Sequence, residues 1–195
     1  IEQLVGVPPQ GMWVGTFHGI AHRLLRAHWR DAGLKESFQI MDSDDQLRLV
    51  KRIMRELSID ETRWPPKQVC WFINAQKDEG RRAAHVPDSH DPFSRGMREM
   101  YYHYEEACEK NGLLDFGELL LRAHELMLTN PALLKHYQQR FVHVLVDEFQ
   151  DTNTIQYAWL RLMVGEEGSI TAVGDDDQSI YGWRGAKIEN IQNLS

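Results

Sequence analysis

The chain has 195 residues, 42% of them apolar and 26% charged, and a formal net charge of −7. That length supports one to two domains with a sizeable core, and the composition excludes a disordered acidic tail, a collagen-like fibre and a disulfide mini-protein. The acid excess is local: residues 17–141 hold 19 basic and 19 acidic side chains, whereas 142–195 hold 3 and 9, which argues against a broad basic nucleic-acid surface and for a cation site.

Met12-Trp13-Val14-Gly15-Thr16-Phe17 reads as a short strand. Thr16 then caps a helix that carries Ile20, Leu24 and Ala27 on one row, Ala21, Leu25 and His28 on the next, and Arg23, Arg26 and Arg30 on another face. The middle of the chain is helical by period. Asp42 or Ser43 caps a helix with Leu47, Val50, Met54 and Leu57; its Arg48, Lys51, Arg52 and Arg55 read as a solvated face. Pro65 and Pro66 open a helix with Val69, Phe72 and Ile73 inward. The stretch from Asp78 to Asp91 shows no period and reads as loop, with Lys77, Arg81 and Arg82 as a small solvated basic patch. Pro92 opens a helix through Phe93, Met97, Met100, Tyr101, Tyr104 and Cys108, stopped near Gly112. Asp115 caps Phe116, Leu119, Leu120, Ala123 and Leu126, and Asn130-Pro131 starts a shorter helix.

The last quarter changes character. Phe141-Val142-His143-Val144-Leu145-Val146 is β-branched and apolar and reads as a buried strand ending at Asp147-Glu148. Ile155, Trp159, Leu162 and Met163 mark a helix ended by Gly165, and Ser169-Ile170-Thr171-Ala172-Val173-Gly174 reads as a second buried strand followed by Asp175. Two apolar strands separated by a helix point to a parallel βαβ unit, which places Asp147, Glu148 and Asp175 on one sheet edge, where ligands bind in such sheets.

An apolar strand delivering Asp147-Glu148 fits a Walker B arrangement: the first carboxylate holds Mg²⁺, the second orients or deprotonates the attacking water. Cys70 and Cys108 form no CxxC pair, and His22, His28, His103, His124, His136 and His143 lack metal-ligand spacing. These features argue against zinc and for a reducing, cytoplasmic compartment. No apolar run reaches the ~18 residues of a membrane span. Ile1 and Ser195 read as the ends of a piece of something longer.

Asp147-Glu148-Phe149-Gln150-Asp151-Thr152-Asn153, together with Val173-Gly174-Asp175-Asp176-Asp177-Gln178-Ser179-Ile180-Tyr181-Gly182-Trp183-Arg184-Gly185-Ala186, resembles motifs II and III of the UvrD/Rep-type superfamily 1 helicases. Gly15-Thr16-Phe17-His18-Gly19 resembles the DNA-contacting motif Ib of that family, and Leu114-Asp115-Phe116-Gly117-Glu118-Leu119-Leu120 its segment ahead of motif II. The resemblance spans the chain and implies a partial α/β P-loop NTPase core with a RecA-like parallel sheet, built from 1–16 and 142–195, and a large all-helical subdomain inserted at 17–141. It implies an ATP-dependent helicase that uses Mg²⁺, moves 3′ to 5′ on single-stranded DNA and serves repair.

By the same resemblance Asp147 binds Mg²⁺ and nucleotide, Glu148 activates water, Gln178 senses the γ-phosphate, and Gln150 links the nucleotide site to DNA. Thr16 and His18 touch the DNA backbone, Tyr181 and Trp183 stack on bases, and Arg184 contacts a phosphate or pairs with a carboxylate. Base–aromatic stacking tolerates any sequence, as a translocase requires. Packing competes as a reading of Tyr181, and a helix-start hydrogen bond as a reading of His18. No glycine is followed by lysine, so these 195 residues contain no G-x-x-x-x-G-K-[ST] phosphate loop. The alternative reading is a non-enzymatic DNA- or protein-binding module. A Mg²⁺-dependent receiver domain using Asp175 and Asp176 needs the opposite order of acidic strands.

Overall fold

Side-chain caps decide where most of the helices begin. In the computed structural model, which describes residues 11–174, Thr16 accepts a hydrogen bond from the Gly19 N–H and starts α1, Phe17–Ala27. Asp42 does the same for α2, Ser43–Glu56, through the Asp45 N–H. Prolines pre-set the first turn of α3, Pro66–Asp78, and of α4, Pro92–Asn111. Helix α4 stops at Gly112, whose left-handed backbone (φ 66°) suits a residue without Cβ. Asp115 caps α5, Phe116–Thr129, and Asn130 caps α6, Pro131–Arg140. Asn153 begins α7, Thr154–Val164, in a reciprocal capping box with Gln156.

Four short strands complete the described chain. β1, Gln39–Ile40, pairs in parallel with β2, Leu113–Leu114; β3, His143–Val146, pairs in parallel with β4, Ser169–Ala172. The β3–α7–β4 order is the expected βαβ unit, with Val146 opposite Ala172 at the carboxyl ends.

Three apolar clusters hold these pieces. The first joins α1, α5, α6 and α7 through Leu24, Leu25, Leu120, Met127, Tyr137 and Trp159. The second joins α2, α3 and α4 through Val50, Met54, Ile73, Met97, Met100 and Tyr101. The third, Val146, Phe149 and Leu160, fastens β3 to α7 and also receives Phe17 and Ile170.

The structure corrects several expectations. Residues 12–15 are not a strand: among the described residues no strand pairs with them, and Trp13 anchors the segment by packing edge-on against Tyr137 and Phe141, under the Arg23 guanidinium. β3 is not buried on both faces. Val146 faces the third cluster while Leu145 is 77% exposed, as the two-residue period of a strand covered on one side requires. The middle is not purely helical, since β1 and β2 lie within it. Phe93 and Phe116, on the first turns of their helices, are surface residues; Phe93 stacks on Trp64 with ring centroids 6.5 Å apart. The segment after α3 contains a 3₁₀ turn at Ala83–His85.

Lys77 overturns its reading most sharply. It lies in α3, not in a loop, and is 2% exposed. Its Nζ sits 2.8 Å from Asp115 Oδ2 and 3.0 Å from Glu118 Oε2. Arg82 joins the same cluster through Glu118 (2.7 Å), Glu125 (2.6 Å) and Glu105 (3.3 Å), and Arg122 reaches Glu118 at 2.9 Å. Burial pushes the Glu118 carboxyl up, but the charges of Lys77, Arg82 and Arg122 outweigh it and hold the group far below the usual carboxylate range. Burial likewise opposes the Lys77 charge, yet Asp115 and Glu118 keep it above the usual lysine range.

Both cysteines are free and buried; burial pushes their thiols up, Cys70 to about 11 and Cys108 to about 12.

Removing Lys77 strands Asp115 and Glu118 as buried, under-compensated charges. Lys77→Ala is expected to destabilise the chain by about 3–5 kcal/mol. Urea unfolding checks this, and a midpoint equal to that of the unsubstituted chain contradicts it.

Candidate active site at the carboxyl end of the β3–β4 sheet

β3 leaves the sheet at Val146, and the next five residues form a tight, heavily bonded loop. Asp147 is exposed, and its Oδ1 accepts the Glu148 backbone N–H at 3.0 Å. Glu148 adopts a left-handed backbone conformation (φ 52°, ψ 41°). For a residue with a Cβ this costs on the order of 1 kcal/mol and persists only where neighbours enforce it.

The neighbours are visible. Phe149 is buried in the third cluster, and its N–H donates to Val173 O at 3.0 Å, extending the β3–β4 ladder beyond the strands. A 3₁₀ turn, Phe149–Asp151, follows; Thr152 closes it by donating both its N–H (3.1 Å) and its hydroxyl (2.8 Å) to Phe149 O.

Inside this loop Gln150 is 1% exposed, and its Nε2 donates to Glu148 Oε2 at 2.6 Å. The structure therefore unites Asp147, Glu148 and Gln150 at one sheet edge. The end of β4 lies against them: a Cβ on Gly174 would stand 2.5 Å from Gln150 Oε1 and 3.2 Å from Gln150 N. Glycine at 174 suits the close approach of the two strand ends, since a Cβ there would press on the buried Gln150 side chain and crowd its backbone N.

The chemistry of this corner is that of hard oxygen donors. Mg²⁺ takes one or two protein carboxylates and completes its shell with water and substrate phosphate. An exposed Asp147 beside an exposed Glu148 fits that demand. Among the described residues no group of three or more His, Cys, Asp or Glu is arranged to hold a metal by itself. Glu148, gripped by a neutral amide donor, is oriented without being neutralised.

The Thr16–His18 turn sits on the same body. Thr16 is engaged as the α1 cap, with its Oγ1 3.2 Å from Gly19 N. His18 lies edge-on to Phe116, ring centroids 5.9 Å apart, at the start of α5. Between them Phe17 packs against both the first and third clusters, with its ring 6.4 Å from that of Trp159. One phenyl ring therefore packs on both the cluster beneath this turn and the cluster that holds Phe149. Asp175, Gln178, Tyr181, Trp183 and Arg184 lie outside the described residues.

Sequence reading missed the groups that brace the loop from outside. Asn153 Nδ2 donates to Asp78 Oδ1 at 2.9 Å, and the Thr154 hydroxyl donates to Glu79 Oε1 at 3.2 Å. It also missed the buried Lys77 cluster, although a signal existed: Val69, Ile73 and Lys77 recur every four residues, which puts the lysine on the buried row of α3. A cleft of about 470 Å³ opens over that cluster, with Lys77, Arg82, Glu118 and Arg122 in its walls. It is separate from the carboxylate loop, and its Lys77, Arg82 and Arg122 are paired with Glu118.

Comparison with known proteins gives the family of the chain. The sequence pattern described as the UvrD/REP helicase N-terminal domain matches residues 1–195. DNA helicase II of Escherichia coli is 59% identical over 194 residues, covering 100% of this chain and 27% of that protein. DNA helicase II of Haemophilus influenzae is 57% identical over 184 residues, and the ATP-dependent DNA helicase PcrA of Staphylococcus epidermidis is 35% identical over 192, covering 98% of this chain and 26% of that protein. The chain thus spans about a quarter of the length of the curated relatives it matches.

The close fit at Gly174 has a measurable consequence. Gly174→Ala forces the Gln150 amide aside and is expected to cost about 1–3 kcal/mol in stability. A thermal or urea unfolding curve superimposable on that of the unsubstituted chain would show that the strand ends do not need the glycine.

Proposed function

We propose, from the premise that this chain belongs to the UvrD/REP helicase N-terminal domain family, that it is the segment of an ATP-dependent DNA helicase that carries the hydrolytic carboxylates and part of the single-stranded DNA site. The observation that carries this reading is Glu148 at the end of β3, held in a left-handed backbone conformation with its carboxylate gripped by Gln150. In this reading residues 1–16 and 142–195 belong to the RecA-like ATPase core and 17–141 to the helical accessory subdomain. The parent moves 3′ to 5′ on single-stranded DNA, acts in repair at single-strand/duplex junctions alongside repair proteins, and works in the cytoplasm. No described helix is long and apolar enough to cross a membrane.

The residues divide the work as follows. Asp147 supplies a carboxylate oxygen to Mg²⁺ and so helps bind the nucleotide. The cation, when bound, neutralises charge on the phosphates. Glu148 orients the attacking water and accepts its proton. Gln150 holds the Glu148 carboxylate at 2.6 Å, which fixes the direction in which that proton leaves. Gln178 contacts the γ-phosphate as a neutral donor. On the DNA side, Thr16 and His18 meet the backbone, Tyr181 and Trp183 stack on bases, and Arg184 meets a phosphate. Phe17 supports coupling between the two sides, because it touches the clusters under both. A non-enzymatic binding module remains the rival reading, and nucleotide hydrolysis by the full-length protein discriminates.

Two measurements test the proposal. The 195-residue chain lacks a glycine-lysine phosphate loop, so purified and free of contaminating ATPase it is expected to show no ATP turnover above background, with or without DNA. DNA-stimulated turnover by that chain would defeat this. In the full-length protein, Glu148→Gln keeps the shape of the side chain and removes its charge and basicity. ATP and DNA binding are expected to persist while turnover falls by about 10²–10⁴-fold; near-normal turnover would refute the role of Glu148.

A further inference from the structure

The C-terminus of α3 is joined to the N-terminus of α7 by two side-chain hydrogen bonds: Asn153 Nδ2 to Asp78 Oδ1 at 2.9 Å, and Thr154 Oγ1 to Glu79 Oε1 at 3.2 Å. The placement is informative. A carboxylate at the C-terminal end of its own helix is disfavoured by that helix's dipole, whereas at the N-terminal end of another it is favoured. Asp78 and Glu79 end α3, yet they bond to the first residues of α7. Electrostatically they serve α7.

Asn153 is almost fully used. Its Oδ1 accepts the Gln156 N–H, its own N–H donates to Gln156 Oε1, and its amide N–H₂ goes to Asp78. It is also the second residue after the 3₁₀ turn that holds Gln150, and Thr152 between them is buried and tied back to Phe149 O. The path from Asp78 to the hydrolytic carboxylate is short: Asp78, Asn153, Thr152, the 3₁₀ turn, Gln150, Glu148.

At its other end the brace is anchored. Lys77, next to Asp78, is locked by Asp115 and Glu118. The chain then reverses at Gly80 (φ 75°), whose Cα faces Ile155 of α7; a Cβ there would lie 3.5 Å from Ile155 Cδ1. The α3 terminus cannot drift without disturbing either a buried ion cluster or α7.

We infer that Asp78 and Glu79 are positioning residues for nucleotide hydrolysis, which fix the start of α7 and through it the loop that presents Glu148 and Gln150. The inference rests on the proposed role of Glu148. It makes the helical layer, through α3, a determinant of the rate of the chemical step rather than a passive insertion.

The test uses the full-length helicase and a reciprocal exchange. Asn153→Asp preserves an N-cap oxygen for α7 but sets two carboxylates face to face. Asp78→Asn combined with Asn153→Asp restores one donor and one acceptor with their direction reversed. DNA-stimulated kcat is expected to fall at least tenfold in Asn153→Asp with KM for ATP changed less than twofold. In the double variant kcat is expected to recover to within threefold of the starting protein. A merely structural role would lower the yield of folded protein and leave kcat per folded molecule unchanged. An unaltered kcat in Asn153→Asp, or a loss that the double variant does not recover, overturns the inference. Should Asn153→Asp fail to fold, Asp78→Ala carries the same expectation of a kcat loss at constant KM. Glu148→Gln, measured alongside, separates the two claims. An inactive Glu148→Gln with a normal Asn153→Asp defeats the brace alone, whereas an active Glu148→Gln defeats the reading of the site.

Discussion

One carboxylate organises the helical part of this molecule. Asp115 accepts from Lys77 Nζ of α3 at 2.8 Å, from the Tyr104 hydroxyl of α4 at 2.6 Å, from Gln46 Nε2 of α2 at 3.4 Å, and from the Glu118 N–H at the start of its own helix at 2.7 Å. Four helices therefore meet on the two oxygens of a group that is 3% exposed. A buried carboxylate is costly unless its charge is matched and its lone pairs are filled, and here both conditions are met. Burial and the Asp115 charge push the Tyr104 hydroxyl far above its ordinary range, so it remains a donor throughout. An apolar core would pack these helices in several near-equivalent ways; a polar centre with directional bonds selects one arrangement.

That selection reaches the carboxylate loop after β3 by continuity. Lys77 is held by Asp115, Asp78 follows it, and Asp78 holds Asn153 at the start of α7. Helix α7 in turn contributes Leu160 to the cluster that supports Phe149. The strained backbone of Glu148 is sustained between these two restraints and the hydrogen bond from Phe149 N–H to Val173 O. Strain at a carboxylate, enforced by a buried amide on one side and a sheet on the other, is the arrangement expected where orientation of a reactive group matters more than local stability.

The sheet at this corner is half dressed. Val144, Val146 and Ile170 have partners in α7 and Phe149, while Leu145, Val142 and Val173 are exposed. The described residues cover one face of β3 and β4.

Local chemistry made much of this legible from residues alone. Helix starts at Thr16, Asp42, Asp115 and Asn130, and the stop at Gly112, follow from side chains that satisfy orphan backbone groups within a few residues. The β3–α7–β4 unit and the meeting of Asp147 with Glu148 at a strand end follow from period and punctuation. Whatever depended on partners distant in sequence was decided by the tertiary structure. Residues 12–15 are apolar enough for a strand, but a strand needs a neighbour to take its backbone hydrogen bonds. Leu145 reads as core until the sheet is seen to be covered on one side. Lys77 reads as a loop cation because the two carboxylates that bury it lie 38 and 41 residues further along the chain. The brace from Asp78 to Asn153 spans 75 residues, and no periodicity in either helix announces it. A sequence specifies caps and faces through nearest neighbours; which charges meet in the interior is fixed only when the helices have packed.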